Sequence, residues 1–441
     1  MVQFFKPQRN APSSAILSLN IERLDDQGRG VARHQGKVVF VSGALPGEQV
    51  EARLSRDAAR YAEARLVKVV RVSSERQTPL CPHVGRCGGC RLQHASPELQ
   101  QQSKAEQLVH QLRQVGGLSV PEPEAVIAAA PYGYRRRARL ALRIERGQLQ
   151  LGFRAAGSNE ICAIDQCPVL EPALAALLPK IRAALAAQAR PDDYGHAELL
   201  LSSEGPLLLL RRLRPVPEPR LAALAAALDG LRLGFEDNDG SVVDVAGRPL
   251  ADCHYPIEVA QRQLAIAFQP HHFIQVNAEV NRALVQRVLD WLQPAAGERL
   301  LDLFCGVGNF ALPLAATGAD VVAVEGVKAM VDQARVNAER LGLPAQFLLG
   351  DLNAGLPSEV AAGGAVSAVV LDPSREGAKG VVAGLAALGA RRVAYVSCNP
   401  ATLARDAATL AGQGFVLSRL ALVDMFPQTH HVEALALFER P

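Results

Sequence analysis

The segment 393–406, VAYVSCNPATLARD, places a cysteine where a predicted strand meets a predicted helix. VAYVS is apolar and β-rich, which predicts a buried strand. Asn399 is a good N-cap and Pro400 suits the first helical position, so the helix is predicted to begin there. A helix N-terminus lowers the pKa of a thiol. We therefore expect Cys398 to be a nucleophile rather than a small buried apolar residue.

A strand, a glycine turn and a helix follow one another in residues 299–314, RLLDLFCGVGNFALPL. Gly306 and Gly308 would let a ligand approach the backbone closely. The next strand, VVAVE, ends in Glu325, which can accept hydrogen bonds from ribose hydroxyls. Asp302 near the turn would repel the diphosphate of NAD but could hold an ammonium group. This pattern favours S-adenosylmethionine over NAD.

Two later strands, FLLGD and AVSAVVLDPSR, also end in acids. In open α/β sheets, ligands lie at the C-terminal ends of the strands. Asp351 could reach the adenine edge, or it could be a simple turn residue. Asp372 should face the reactive end of the cofactor together with Cys398. Asp372 could also accept the N3–H of a pyrimidine, which would select uracil over cytosine.

A thiolate beside a methyl donor fits methylation of a pyrimidine at carbon 5. Thiolate addition to carbon 6 makes carbon 5 nucleophilic, and a base must then remove the carbon-5 proton. The segment DMFPQTHHVEALALFER supplies the candidate bases. Burial beside ALALF would raise the pKa of Glu433 toward a useful range. His430 and His431 are rival candidates because their ordinary pKa is better suited.

Basic and aromatic residues mark possible RNA-binding regions. Residues 14–70 are predicted to form a small five-stranded barrel, a common nucleic-acid platform. Residues 131–154 contain seven arginines and one glutamate, interleaved with Tyr and Phe. This stripe suits phosphates and stacked bases, although a solvated strand face is the simpler alternative.

A glycine-rich loop at 81–94 contains three cysteines with the spacing C-x5-C-x2-C, namely Cys81, Cys87 and Cys90. A fourth ligand must come from elsewhere, and ICAIDQCPVL offers Cys162 and Cys167. Cys167 precedes a proline, as cysteines that bind iron–sulfur clusters often do. Zinc, completed by His83 or His94, is the alternative metal.

The composition is that of an ordinary globular protein, with 441 residues, 49% hydrophobic and 21% charged. We see no apolar run long enough to span a membrane and no signal-peptide core in MVQFFKPQRN, so we expect a cytoplasmic protein. The predicted fold is α/β. An RNA-binding barrel (1–75) precedes a central α+β domain with the cysteine loop and basic stripe (76–270) and a Rossmann-like, doubly wound domain (271–441).

Three motifs, DPSR, SCNPATLARD and HHVEALALF, together resemble the RNA (uracil-5-)-methyltransferases. The segment GRGVARHQGKVVFVSGALPGEQV looks like the TRAM domain of these enzymes, and CPHVGRCGGC resembles their iron–sulfur motif. The resemblance covers nearly the whole chain. It is strongest to the members that act on bacterial 23S rRNA, since the tRNA-modifying relatives usually lack the barrel and the cluster.

The resemblance implies Cys398 as nucleophile and Glu433 as the proton-abstracting base. It also implies a set of contacts to the methyl donor: Gln275, Phe304, Asn309, Glu325, Asp351 and Asp372. It favours a [4Fe–4S] cluster over zinc, with Cys167 as fourth ligand. The chain departs from the family at Ser374, where Pro or Ala is usual, and position 351 varies among relatives.

Two alternatives to this methyltransferase hypothesis belong to other classes. An NAD-dependent, zinc-containing oxidoreductase would explain the glycine turn and the cysteines, but not the pair Cys398 and Glu433. A non-catalytic rRNA-binding or assembly factor would explain the barrel and the basic stripe. For the methyltransferase we expect a monomer that acts on 23S rRNA and has no membrane partner.

Overall fold

The computed structural model describes residues 16–440 and divides into two compact units. The first unit comprises the described residues up to Gln107 together with Gln428–His431. The second comprises Leu108–Pro427 and the residues from Val432 onward.

Within residues 16–71, the first unit contains one antiparallel-rich sheet of six strands, in the order β1-β5-β6-β4-β3-β2. The strands are β1 (Ile16–Asn20), β2 (Arg23–Leu24), β3 (Gly30–His34), β4 (Lys37–Ser42), β5 (Gln49–Asp57) and β6 (Tyr61–Arg71). Alternate residues such as Val39, Val41 and Val50 are buried and form its core. The predicted barrel of five strands therefore has a sixth, the two-residue β2. Helix α1 (Pro97–Gln114) begins in this unit.

The first part of the second unit, between residues 137 and 268, contains a seven-stranded sheet and a separate hairpin. Its strands are β7 (Arg137–Glu145), β8 (Gln148–Arg154), β9 (Ile161–Ala163), β10 (Tyr194–Ser202), β11 (Gly205–Arg212), β12 (Arg232–Glu236) and β13 (Val242–Val243), with the hairpin β14 (Cys253–Val259) and β15 (Arg262–Phe268). Its helices are α2 (Pro172–Ala175), α3 (Leu178–Ala186) and α4 (Glu218–Ala227). The sheet order is β13-β12-β11-β10-β7-β8-β9.

The last part of the second unit, from residue 278 to 439, is the doubly wound domain that the sequence predicts. Its strands are β16 (Arg299–Leu303), β17 (Asp320–Glu325), β18 (Ala345–Leu349), β19 (Ala368–Leu371), β20 (Arg392–Ser397), β21 (Val416–Val423) and β22 (Glu433–Glu439). Its helices are α5 (Ala278–Leu292), α6 (Ala311–Ala316), α7 (Lys328–Leu341), α8 (Ser358–Ala362), α9 (Lys379–Val382) and α10 (Pro400–Ala411).

The strand order of this domain is β18-β17-β16-β19-β20-β22-β21. β16 to β20 run parallel to one another, whereas β22 is inserted antiparallel between β20 and β21. The central strands are continuous apolar runs because helices cover both faces of such a sheet. Asp302, in the middle of β16, is polar and yet has 0% of its surface exposed.

The predicted start of α10 is confirmed. The Asn399 side chain accepts a hydrogen bond from the backbone N–H of Ala401 (3.1 Å), and Pro400 occupies the first turn of α10. Asn277 caps α5 in the same way, through the N–H of Val280 (3.2 Å). Among residues 16–440, none of the helices is both long and apolar enough to cross a membrane.

Candidate active site

The turn after β16 has an unusual backbone that opens the end of the sheet. Phe304 adopts a left-handed φ of +69°, which costs a non-glycine residue about 1–3 kcal/mol and is often retained at functional sites. A Cβ on Gly306 would meet no protein atom within 4 Å, so this backbone is open to a ligand. A Cβ on Gly308 would instead lie 2.8 Å from the Leu312 side chain. Gly308 is therefore required by helix packing rather than by ligand access.

Glu325, at the end of β17, connects this turn to the neighbouring strand. Its Oε2 accepts the backbone N–H of Gly306 (3.1 Å), and its Oε1 accepts that of Val327 (2.9 Å). Each carboxylate oxygen has a second lone pair. Glu325 can thus hold the glycine turn and still accept a hydroxyl from a ligand.

Asp302 lies beneath the turn and is fully buried. Neither of its carboxylate oxygens accepts a hydrogen bond of normal geometry from residues 16–440. Burial raises its pKa well above the ordinary value, and the charges of Asp372 and Glu325 raise it further, while the nearby N–H of Ala311 opposes the shift. Acceptors without donors beside two other carboxyl groups suit a cationic ligand. The site therefore fits the sulfonium and ammonium groups of S-adenosylmethionine better than a diphosphate.

Asp372 follows β19 and lies next to the turn, because its N–H bonds the carbonyl oxygen of Leu303 (3.3 Å). Part of its surface remains accessible, yet burial of the carboxyl group raises its pKa to about 7. The side chain of Gln275 donates a hydrogen bond to Asp372, which opposes this rise. Gln275 is in turn held by Arg136, whose Nε donates to its carbonyl oxygen (2.8 Å).

Arg136 is a buried residue that supports the site, and it was not among the predicted site residues. Its guanidinium lies 4.8 Å from the ring centroid of Tyr255, and burial lowers its pKa to about 10. The Tyr255 hydroxyl donates to Asn309 Oδ1 (3.2 Å), and Asn309 also exchanges amide hydrogen bonds with Asn281 (2.9 and 3.0 Å). The signal that could have found Arg136 is strand alternation, which places it opposite in phase to the exposed Arg139.

Cys398 and Glu433 lie at the same end of two adjacent strands. Ser397 pairs with Ala434 in the antiparallel ladder of β20 and β22, so the next residues out are Cys398 and Glu433. Glu433 is only 5% exposed, whereas Cys398 is half-buried at the N-terminus of α10. The structure therefore brings together the two residues that were predicted to carry the chemistry.

The predicted lowering of the Cys398 pKa is wrong. Burial raises the pKa of the thiol, and the charges of Glu433 and Asp372 raise it further. The positive charge of Arg375 acts in the opposite direction. The helix N-terminus thus does not outweigh desolvation and two neighbouring carboxyl groups.

The remaining predicted contact residue, Asp351, lies at the exposed edge after β18. Its Oδ1 accepts the backbone N–H of Asn353 (3.0 Å), the geometry of a turn-forming aspartate. The rival bases His430 and His431 belong to the first unit, with the segment Gln428–His431. There, Gln428 exchanges amide hydrogen bonds with Gln100.

The arginines of residues 131–154 divide into two groups. Arg135 and Arg136 donate to backbone carbonyls, and Arg137 pairs with Glu198 and bonds the carbonyl of Pro270 (2.8 Å). These three side chains bond within the protein, so only part of the predicted basic stripe is available to RNA. The other four are exposed: Arg139, Arg143, Arg146 and Arg154.

Strand register places Arg139 and Arg154 on one face of the seven-stranded sheet, together with His196 and Arg211. His196 pairs with Ala141 on one side and with Arg211 on the other, and Ala141 pairs with Gly152. Directly opposite residues share a face, and so do residues two apart. Burial lowers the pKa of His196 and the three arginine charges lower it further, while the charge of Glu236, the residue paired with Arg211 in β12, opposes them. We call this set, Arg139, Arg154, His196 and Arg211, the basic face.

The cysteine loop belongs to the first unit, whereas Cys162 and Cys167 are buried residues of the second. The backbone N–H of Gly89 points to Cys87 Sγ (3.4 Å), and Gln93 accepts the N–H of Cys81 (3.1 Å). Among residues 16–440, no three His, Cys, Asp or Glu side chains are arranged to hold a metal ion. The donor chemistry of three thiols in one glycine-rich loop nevertheless fits an iron–sulfur cluster.

The strand order, the glycine turn and the acids at the strand ends define a Rossmann-like methyltransferase. A solved structure shares this fold over 96% of this chain and 100% of its own, with a TM-score of 0.74 and 24% identity: the Pyrococcus abyssi tRNA (uracil-54, C5)-methyltransferase in complex with S-adenosyl-L-homocysteine. The tRNA (Uracil-5-)-methyltransferase family profile matches residues 252–343 and 363–441, and the TRAM domain profile matches residues 15–67.

Full-length relatives identify the family. The 23S rRNA (uracil(1939)-C(5))-methyltransferase RlmD of Shewanella sp. (strain ANA-3) is 44% identical over 100% of this chain and 99% of its own. The protein of the same name from Salmonella choleraesuis (strain SC-B67) is 43% identical over 100% of both chains. The chain belongs to the RNA uracil-C5 methyltransferases. Membership in this family, with an N-terminal TRAM domain, replaces the oxidoreductase alternative.

Proposed function

We propose that this protein methylates carbon 5 of a uridine in 23S rRNA, with uridine 1939 as the target, using S-adenosylmethionine. The observation that carries the proposal is the placement of Cys398 and Glu433 at the ends of paired strands, beside the carboxyl group of Asp372. The printed names of the full-length relatives support the choice of substrate.

S-adenosylmethionine supplies an electrophilic methyl group on a positively charged sulfur. We assign its binding to six residues: Gln275, Phe304, Asn309, Glu325, Asp351 and Asp372. Asp302 adds a buried acceptor below the open backbone of Gly306. This assignment is supported by the raised pKa values of Asp302 and Asp372, because a bound cation would favour the charged forms of both groups.

Cys398 acts as the nucleophile. Its thiolate forms a bond to carbon 6 of the uracil, and the electrons of the 5,6 double bond move to carbon 5 and its adjoining carbonyl. Carbon 5 then forms a bond to the methyl carbon, whose bond to sulfur breaks. Arg375 assists by favouring the thiolate, since its charge opposes the rise in the pKa of Cys398.

Glu433 acts as the base that completes the reaction. It takes the proton from carbon 5, the double bond reforms, and the Cys398 thiolate leaves carbon 6. Its buried position at the start of β22 suits this step, because a desolvated carboxylate is more basic than an exposed one. Glu433 is a better candidate than His430 or His431 because it is the residue next out from the Ser397–Ala434 pair, on the strand beside Cys398.

Asp372 selects the base. As a carboxylate it accepts the N3–H of uracil, which cytosine lacks. Gln275 and, through it, Arg136 hold this carboxylate in place. The target uridine must leave its base stack to reach Cys398, as in other enzymes that act on a base.

RNA binding is assigned to the TRAM domain and to the basic face. Three arginines around His196 form a cationic surface that suits phosphates. Replacing Arg139 or Arg154 by alanine should weaken RNA binding and reduce its salt slope by about one for each phosphate that the variant leaves unneutralised. Arg248, an exposed arginine already paired with Asp244 (2.8 Å), is the matched control.

A [4Fe–4S] cluster held by Cys81, Cys87, Cys90 and Cys167 completes the proposal. Its role is structural, since no step above requires electron transfer. We further propose that the enzyme is a cytoplasmic monomer with no membrane partner.

The decisive experiment uses 23S rRNA fragments that carry 5-fluorouridine. Fluorine cannot be removed as a proton, so a methylated covalent adduct should accumulate on Cys398 and be visible by intact mass. The adduct should be absent from Cys398→Ala. No adduct with any fragment, despite bound S-adenosylmethionine, would contradict catalysis and favour a non-catalytic RNA-binding factor.

A further inference from the structure

Asn399, the residue after the nucleophile, makes hydrogen bonds in two directions. Its Oδ1 accepts the N–H of Ala401 (3.1 Å) and caps α10, while its Nδ2 donates to the carbonyl oxygen of Arg375 (2.9 Å). Arg375 belongs to the segment that follows Asp372. One amide side chain therefore joins the loop of the nucleophile to the loop that carries Asp372 and Arg375.

The same segment is attached to α10 at further points. Thr402 Oγ1 lies within hydrogen-bonding distance of two carbonyl oxygens, that of Asn399 (3.1 Å) and that of Arg375 (3.3 Å), and can donate to either. Arg405 Nη2 donates to the carbonyl oxygen of Glu376 (2.8 Å). The Asp406 carboxylate accepts from the N–H of Ala378 (2.7 Å) and from the Tyr395 hydroxyl (2.8 Å).

These attachments differ in their burial and in how near they are to Cys398 in the chain. Tyr395 and Asp406 are fully buried, so the attachment at Ala378 is rigid. Arg375 itself is exposed, and Asn399 is the attachment nearest to Cys398 in the chain.

Other capping residues could not do both tasks. Serine and aspartate cap helices as well as asparagine does, but only asparagine combines the accepting oxygen with an N–H₂ donor that reaches the neighbouring carbonyl. The choice of asparagine is thus explained by the second hydrogen bond and not by the cap.

We infer that Asn399 is a positioning residue that fixes Arg375 beside the Cys398 thiol and thereby activates the nucleophile. This inference rests on the proposed function, in which Cys398 is the nucleophile. The charges of Glu433 and Asp372 disfavour the thiolate, and the charge of Arg375 favours it. If the Arg375 segment is no longer held, its charge offsets those of the two carboxyl groups less, and the pKa of the Cys398 thiol should rise.

The test is the rate of Cys398 alkylation by iodoacetamide as a function of pH, measured on the full chain by peptide mass spectrometry. Asn399→Ser keeps the cap but loses the N–H₂ group that reaches the Arg375 carbonyl oxygen. It should slow alkylation about tenfold at neutral pH and move the profile to higher pH, with the Tm close to that of the wild type. Arg375→Gln should have a similar effect, and the two effects should not add in the double variant.

Two substitutions of Thr402 provide a test variant and its matched control. Thr402→Val removes the hydroxyl near the Arg375 carbonyl and should shift the profile in the same direction, whereas Thr402→Ser retains the hydroxyl and should behave as the wild type. A wild-type profile for Asn399→Ser, or additive effects with Arg375→Gln, would overturn the inference. Alkylation needs neither RNA nor methyl donor, so failure of the proposed rRNA activity would be seen separately, as absence of methylation in the wild type.

Discussion

Cys398 and Glu433 are 35 residues apart in the chain (433 − 398), yet they extend from paired positions of β20 and β22. This proximity follows from the insertion of β22 between β20 and β21, antiparallel to both. The end of β22 that starts with Glu433 thereby meets the end of β20 that precedes Cys398. The proposed nucleophile and the proposed base therefore lie at the same end of two adjacent strands.

Replacement of the base should arrest the reaction after methyl transfer. With Glu433→Gln, Cys398 can still add to carbon 6, but the carbon-5 proton is not removed. We expect methylated RNA joined covalently to Cys398 with ordinary uridine substrate, and turnover lowered by about 10²–10⁴. Intact mass after a single turnover measures this.

Glu433→Gln should also change the reactivity of the Cys398 thiol. Because the Glu433 charge raises the pKa of Cys398, its loss should lower that pKa and speed iodoacetamide alkylation at a fixed pH. A variant that neither accumulates the adduct nor alkylates faster would show that Glu433 does not face the nucleophile.

The pH dependence should reveal Asp372. It accepts N3–H only as a carboxylate, and its pKa is raised to about 7. The rate should rise with pH as Cys398 ionises. Below about pH 7, protonation of Asp372 should make the rate fall by a further factor of about ten for each pH unit. Asp372→Asn keeps an accepting oxygen that does not titrate, so this steeper region should vanish. Persistence of the same break in the variant would assign it to another group.

Asp302 should lower the stability of the ligand-free protein and favour the binding of S-adenosylmethionine. Its pKa is raised in the folded protein, so the folded state binds more protons than the unfolded state, and stability falls as pH rises above the ordinary aspartate pKa. Asp302→Asn should remove this contribution, leave the Tm of the ligand-free protein no lower, and reduce the Tm increase caused by S-adenosylmethionine. A Tm increase equal to that of the wild type would exclude Asp302 from binding.

The proposed cluster can be tested by replacing single cysteines, with Cys162 as the control for Cys167. Cys87→Ser and Cys167→Ser should lose iron and inorganic sulfide, which the wild type should contain in equal amounts. Cys162→Ser, five residues before Cys167 and buried like it, is the control and should keep both. Zinc without iron in the wild type would instead support the zinc alternative.

Much of the doubly wound domain could be predicted because its signals are local. Apolar runs ending in acids, the glycine turn and the cap at Asn399 each depend on a few consecutive residues. The first sheet was predicted less well, since β2 has only two residues and leaves little periodicity. The roles of Gln275 and Arg136 depend on partners more than 90 residues away in the chain. Strand alternation can indicate that Arg136 points inward, but not which groups it contacts.

Local sequence was enough to establish which side chains end the strands, where α10 begins, and which family the motifs resemble. How those side chains act on one another depends on the folded chain. Folding pairs Glu433 with Cys398 through the register of β22, and it turns three of the seven arginines inward. It also reverses the expected shift of the Cys398 pKa. Capping and strand propensity act over a few residues, whereas desolvation and charge interactions depend on groups that are far apart in the chain until it folds.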